Sequence, residues 1–351
     1  MIVRVVAWLV LLWPASAFAQ GFAGMGADAE GYALPQRGMV FEFPTDHAAH
    51  LDFRIEWWYL TAVLTGEDGE DYGAQWTLFR TALAPGSGEG WRDPQIWFAH
   101  AAATSATDHQ HSELFARAGI GQAGVRVEPF EAWIDDWAMI GQPGEGLQSL
   151  DLTAHGDGFS YDLTLRADTP LVFHGESGFS QKSPDGQASH YYSQPNYRVT
   201  GSMSLSGKTV EVTGEGWLDR EWSSQPLRED QEGWDWFSLH FEDNTKLMAY
   251  RLRGSDSDYT PGTWIEPDGT AQYIKPGEII LTPLREARVD GRDIPVDWRL
   301  EYAAKGVDLT VTALNDQAWN NTNVVYWEGP VRVSGSHAGR GYLEMTGYDP
   351  D

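Results

Sequence analysis

Apolar and polar residues alternate along this chain with a period of two, in short runs such as Trp57 to Leu64, Gly73 to Arg80, Ser149 to Ala154, Ser160 to Arg166 and Val210 to Trp217, separated by Gly, Asp and Pro turns. That period sends successive side chains to opposite faces, so each run predicts a half-buried strand. Helix-forming runs rich in Ala, Leu and Lys are missing. Short strands at regular spacing predict a sandwich or a barrel, and the expected fold class is all-β and mainly antiparallel.

An internal repeat refines this. Glu56-Trp57-Trp58-Tyr59-Leu60, followed by a turn and a strand ending Phe79-Arg80, matches Gly233-Trp234-Asp235-Trp236-Phe237, followed by Glu242-Asp243-Asn244 and Tyr250-Arg251. Further on, Arg198 to Ser202 and Val210 to Gly214 match Arg332 to Ser336 and Leu343 to Gly347 in the same order. Two matched pieces predict a duplicated β unit. Either copy is long enough to close a barrel of about eight strands around side chains or one small ligand. The polar stretch Asp219 to Glu232, which contains Pro226, reads as the connection. The expected organisation is an export signal at 1–19, a flexible lead-in at 20–38, a first domain at 39–225 and a second at 226–351.

Arg4, the apolar run Val5 to Trp13 and the small-residue site Ala17-Phe18-Ala19 have the form of a secretory signal peptide. The apolar run is shorter than the roughly 20 residues that span a bilayer. The mature protein is therefore expected in the periplasm or secreted, with no integral membrane segment. Cleavage removes Arg4 and leaves 23 of the 24 basic residues against 51 acidic ones, a formal charge near −28. Such a surface repels nucleic acid and anionic lipid headgroups, so neither is an expected partner. With no cysteine, each domain must stand on its own core, and 17 tryptophans help to supply one.

Gly216-Trp217-Leu218-Asp219-Arg220-Glu221-Trp222 is the densest polar and aromatic segment. In an extended strand Trp217, Asp219 and Glu221 share one face, and Leu218, Arg220 and Trp222 share the other. Asp219 and Glu221 read either as an acid–base pair with divergent pKa values, or as a strand end where Arg220 bridges to an acid and the tryptophans plug a barrel. Asp235 alternates with Phe237, Leu239 and Phe241. Lining a barrel, it is a candidate proton donor; at a half-exposed strand start, it is held by backbone or arginine hydrogen bonds. Tyr191 and Tyr192 either cover a barrel mouth and touch ligand or brace the domain interface. His109 and His111 lie in a loop-like stretch unsuited to sharing a metal, and no metal site is expected. A Gly-x-Ser-x-Gly elbow, a cysteine nucleophile, a phosphate loop and a dinucleotide fingerprint are all missing, so no cofactor is expected either.

Six motifs in order, namely Glu56-Trp57-Trp58-Tyr59, the strand ending Phe79-Arg80, Tyr191-Tyr192-Ser193, Trp217-Leu218-Asp219-Arg220-Glu221-Trp222-Ser223, Gly233-Trp234-Asp235-Trp236-Phe237, and Tyr326-Trp327-Glu328-Gly329 with Gly341-Tyr342-Leu343-Glu344, resemble the AttH-like family. The resemblance runs from about residue 40 to the C-terminus. It implies two lipocalin-like antiparallel β-barrels and kinship with the carotenoid 1,2-hydratases and with predicted secreted hydrolases. The hydratase branch adds water across a terminal double bond without an organic cofactor, which needs an acid, a base and aromatic faces to steady a cation. On that analogy Asp219, Glu221 and Asp235 are the candidate catalytic residues. Trp58, Tyr191, Tyr192, Trp217, Arg220, Trp222, Trp234, Trp236 and Tyr250 are candidate ligand contacts. The chain departs from the branch at two places: Arg220 stands where the hydratases carry histidine, and Tyr250-Arg251-Leu252-Arg253 does not clearly match a second acidic position. An always-protonated guanidinium cannot shuttle a proton.

The leading expectation is thus an exported protein that holds a lipid, isoprenoid or other apolar metabolite in or between its barrels, with envelope transport machinery as the partner of a carrier. The alternatives are a cofactor-free lyase or hydrolase and a structural module with filled barrels.

Overall fold

The structure, a computed structural model, describes residues 29–348. The expected export segment at 1–19 and the first part of the lead-in lie outside the described residues. Among the described residues the fold is two antiparallel sheets, and helical geometry is limited to single 3₁₀ turns at Thr45–His47, Gly90–Arg92 and Ala303–Lys305. No helix among them is long and apolar enough to cross a membrane.

Each sheet curls into a barrel built around its first strand. Strand Ile55–Gly66 pairs with Asp71–Ala82 on one edge and with the returning strand Lys208–Ser223 on the other. Strand Gln231–Phe241 pairs in the same way with Lys246–Gly254 and with the final strand Gly339–Thr346. Residues 224–230, including Pro226, join the two sheets.

Alternation decides what goes inside. Along the first strand Trp58, Leu60, Ala62 and Leu64 enter the barrel core, where Trp76, Trp137, Tyr192 and Trp222 join them. Phe237, Leu239 and Phe241 enter the second core with Trp298 and Trp327. Aromatic side chains contribute much of the packing in both interiors. A third apolar cluster, including Tyr59, Val63, Tyr191, Trp217, Trp236, Met248 and Tyr250, is made by outward faces and lies between the barrels. Burying such side chains is worth roughly 1.5–3 kcal/mol each, so the interface is a core in its own right.

Polar contacts lock the barrels together. Arg332 reaches Asp71 at 2.6 Å, Arg340 reaches Glu215 at 3.2 Å, and His174 Nδ1 lies 2.8 Å from Thr263 Oγ1. Gly73 permits the closest approach: a Cβ there would lie 2.7 Å from the Tyr342 hydroxyl and 2.8 Å from Pro330. The described part of the expected flexible lead-in, residues 29–38, is tied to the first barrel. Tyr32 donates to the Ala82 carbonyl, Ala33 N–H donates to the Asp52 carbonyl, and Arg37 packs over the Phe179 ring.

Candidate functional site

A cavity of about 120 Å³ opens between the two barrels. The outward faces of four strands form its walls: Trp57 and Tyr59 from Ile55–Gly66, Phe79 from Asp71–Ala82, Trp234 and Trp236 from Gln231–Phe241, and Tyr250 and Leu252 from Lys246–Gly254. Polar groups enter this apolar lining at few points, chiefly Asp219, Glu221 and Lys182 from the first half and Glu344 and Tyr326 from the second.

Asp219 is enclosed by donors. Trp217 Nε1 donates to Oδ1 at 2.6 Å and the Tyr191 hydroxyl to Oδ2 at 2.6 Å, while the Ser193 hydroxyl also donates to Oδ1. Burial pushes the Asp219 pKa up to about 7, even though these hydrogen bonds favour the charged form. Glu344 is raised to about 7 as well, mainly by burial, against the hydrogen bond from Trp234 and the nearby Tyr59 hydroxyl. Trp234 Nε1 is 2.8 Å from it. Glu221 meets Lys182 Nζ at 2.7 Å, and that ammonium sits over the rings of Tyr191 and Tyr250.

The barrels exchange hydrogen bonds across the cavity wall. The Tyr59 hydroxyl of the first donates to Glu328 of the second, and Trp236 Nε1 of the second donates to the Tyr191 hydroxyl of the first at 3.3 Å. Tyr59 and Trp236 meet edge to face with ring centroids 5.3 Å apart. Glu328 is completely buried, and burial followed by the nearby Glu344 lifts its pKa well above the carboxylate range.

Of the residues singled out in the sequence, Asp219, Glu221, Tyr191, Trp234, Trp236 and Tyr250 line this cavity, with Trp217 directly behind Asp219. The other five point into barrel interiors, away from this cavity. Asp235 lies inside the second barrel, 2.7 Å from both Arg251 and Arg253 and 2.8 Å from the Tyr348 hydroxyl. Arg220 stacks 3.8 Å above Trp58 and pairs with Glu56 at 2.5 Å. Burial favours neutral Glu56, but the Arg220 and Arg80 guanidiniums outweigh it and hold the carboxyl far below its usual range. Trp222 stacks on His50 at 3.9 Å, and Tyr192 bonds His47. The physical reason is the strand period: Arg220 and Trp222 alternate with the cavity residues, and Asp235 falls between Trp234 and Trp236. His109 and His111 are engaged across the interface, by the Asn320 side chain and the Asn321 backbone respectively.

Glu344, Glu328, Tyr59, Lys182 and His100 were not among the expected site residues. The repeat contained the signal for Glu344. Tyr59 sits across from Asp219 and Trp236 across from Glu344, so Asp219 and Glu344 are counterparts. Matching Val210–Gly214 with Leu343–Gly347 by sequence had instead put Glu344 opposite Glu211, which is exposed.

Paired barrels that enclose an aromatic, carboxylate-bearing cavity define a class of two-barrel, lipocalin-like proteins. Within it, this chain belongs to the AttH-like family, whose profile matches residues 34–348. A crystal structure assigned to AttH of Nitrosomonas europaea is similar at 34% identity and TM-score 0.80, over 91% of this chain and 100% of that one. Kievitone hydratase of Nectria haematococca shares the fold at 16% identity and TM-score 0.68, over 90% of this chain and 95% of that one. CghA, crystallised with Sch210972, does so at 13% identity and TM-score 0.53, over 85% and 89% of the respective chains. No curated protein matches the sequence.

Proposed function

We propose that this protein binds an apolar, unsaturated small molecule between its barrels and adds water to, or removes it from, a carbon–carbon double bond with Asp219 and Glu344. The observation that carries the reading is a pair of buried carboxyl groups, one from each barrel, each with a pKa near 7 in a cavity walled by indoles and phenols. Near neutral pH such groups are divided between acid and base forms, as proton transfer in either direction requires.

In the hydration direction, neutral Glu344 protonates one alkene carbon. The cation left on the neighbouring carbon faces the indoles of Trp57, Trp234 and Trp236. Water forms the new carbon–oxygen bond and gives its proton to Asp219, whose ionised form is held by three donors. The product gains one hydrogen and one hydroxyl, and one proton has moved from Glu344 to Asp219. An apolar cavity of about 150 Å³ holds a benzene ring, so this site suits one end of an apolar molecule with the remainder along the mouth. The fold shared with a hydratase supports the reading. A hydrolase reading gains less: Ser193 does lie between His174 and Asp219, but its proton goes to Asp219, and it is buried away from the cavity lining.

Carriage of the same ligand without turnover is the second reading, favoured by the largely apolar lining of the cavity between the barrels. Residues 1–19 support export to the periplasm or beyond under either reading. Native mass spectrometry of the protein from its own host, with organic extraction, identifies the ligand, and incubation in ¹⁸O-labelled water tests the reaction. Label should enter with the wild type and not with Asp219→Asn. A ligand that stays unchanged replaces hydration with carriage, and protein that is repeatedly empty and takes up no apolar compound overturns both.

A further inference from the structure

We propose that Glu113, His100, Tyr326, Glu328 and Tyr59 form a proton path from the protein surface to Glu344 in the inter-barrel cavity. The path deepens the acid–base reading and rests on it for its purpose: a Glu344 that has given up a proton must regain one before the next cycle.

The path passes between the barrels three times, at His100–Tyr326, Glu328–Tyr59 and Tyr59–Glu344, with hydrogen bonds along Glu113–His100–Tyr326 and at Tyr59–Glu328. Glu113 is partly exposed and accepts from the backbone N–H of Asn323. Its Oε1 lies 3.0 Å from His100 Nε2, and the opposite ring nitrogen, Nδ1, lies 2.9 Å from the Tyr326 hydroxyl. For inward transfer the ring carries its proton on Nδ1, directed at the Tyr326 oxygen, and Nε2 takes the next one from Glu113. The Tyr326 oxygen stands beside the Glu328 carboxyl. Glu328 Oε1 is hydrogen-bonded to the Tyr59 hydroxyl and, in the neutral carboxyl, passes its proton to that oxygen, while Oε2, which has no hydrogen-bond partner, is open to the next proton from the Tyr326 side. Tyr59 also contacts Glu344, the residue paired with Glu328 on the neighbouring strand.

Glu328 is the informative member. A fully buried carboxyl without a cation is stable only when neutral. The groups acting on it are Glu344, Tyr59 and Tyr326, with no guanidinium or ammonium among them. It contrasts with Glu56 and Asp235, each buried inside a barrel beside two arginines. Those are ion clusters that hold the fold, whereas Glu328 stores a proton between two phenols. Each member receives one proton as it passes one on, so no charge accumulates along the chain.

Infrared spectroscopy of the ligand-free protein tests this independently of turnover. At pH 9, above the titration of Asp219 and Glu344, a protonated-carboxyl carbonyl band should be present in the wild type and lost in Glu328→Gln. On transfer to D₂O the band should shift rapidly in the wild type and slowly in Tyr326→Phe and His100→Leu, with circular dichroism unchanged. A missing band, or equally fast exchange in all three proteins, overturns the path. If the exchange pattern holds and no hydration is found, the path stands and the reaction reading fails. If turnover is found, Glu113→Gln, which lies outside the cavity lining, should keep the wild-type rate for a single turnover and lower the steady-state rate. A purely structural role would lower both.

Discussion

Asp219 and Glu344 occupy the same register position in the two barrels: each lies directly across from the outward aromatic residue of its barrel's first strand, Tyr59 in one and Trp236 in the other. Duplication of one β unit has therefore placed two carboxyls against a common cavity, and closing the interface over them has raised the pKa of each to about 7.

Exchanging one carboxyl for its amide should separate chemistry from binding. Asp219→Asn keeps shape and removes the base, so turnover should fall about 10²- to 10⁴-fold, the usual worth of a positioned acid or base. Glu344→Gln should do the same. Ligand recovered by native mass spectrometry should stay at the wild-type level, and loss of binding in step with turnover would count against the assigned roles.

The contribution of Asp219 and Glu344 to stability should fall as pH rises from about 4 to about 7. Asp219 and Glu344 have ordinary values of 3.8 and 4.5 and folded values of about 7, so between those limits the native state binds more protons than the unfolded one. The contribution is complete below the unfolded values and lost through the folded ones, at roughly 1.4 kcal/mol for each pH interval of one that separates a group's folded and unfolded values. Buried histidines such as His47, His109 and His190, whose pKa values are lowered, contribute in the opposite direction, so the measure is the difference: the urea midpoint of Asp219→Asn/Glu344→Gln relative to wild type should rise with pH across this range.

Asp235→Asn should damage the fold and spare the chemistry. It leaves Arg251 and Arg253 in the second barrel without their carboxylate partner, and breaking a buried pair costs about 3–5 kcal/mol. The thermal midpoint should drop while turnover per folded molecule is unchanged. A stable variant with lost turnover would return Asp235 to the site.

Gly73→Ala should loosen the two barrels from each other. Its methyl group would meet Tyr342 and Pro330 closer than carbon atoms normally approach, and overpacking of this kind costs about 1–3 kcal/mol. Urea denaturation should report the loss. An unchanged midpoint would mean that the interface yields at no cost.

Local pattern was enough for the strands, because alternation directly encodes a sheet with one buried face. It also sorted Trp217, Asp219 and Glu221 from Leu218, Arg220 and Trp222, the division found in the structure. Which of those faces is the interior could not be read locally, since both carry tryptophan and charge. Arg220 and Trp222 looked like ligand contacts for that reason, yet they belong to the ion cluster inside the first barrel.

The amino-acid sequence by itself determined an all-β chain, its duplication and its family, because strand period, repeat order and motif spacing are one-dimensional properties. Only the tertiary structure decided that the cavity lies between the barrels, that Glu344 is the counterpart of Asp219, and that Glu328 is buried without a cation. Those facts depend on long-range register and on one outward face covering another, and burial by a distant segment is what sets the protonation of all three carboxyls.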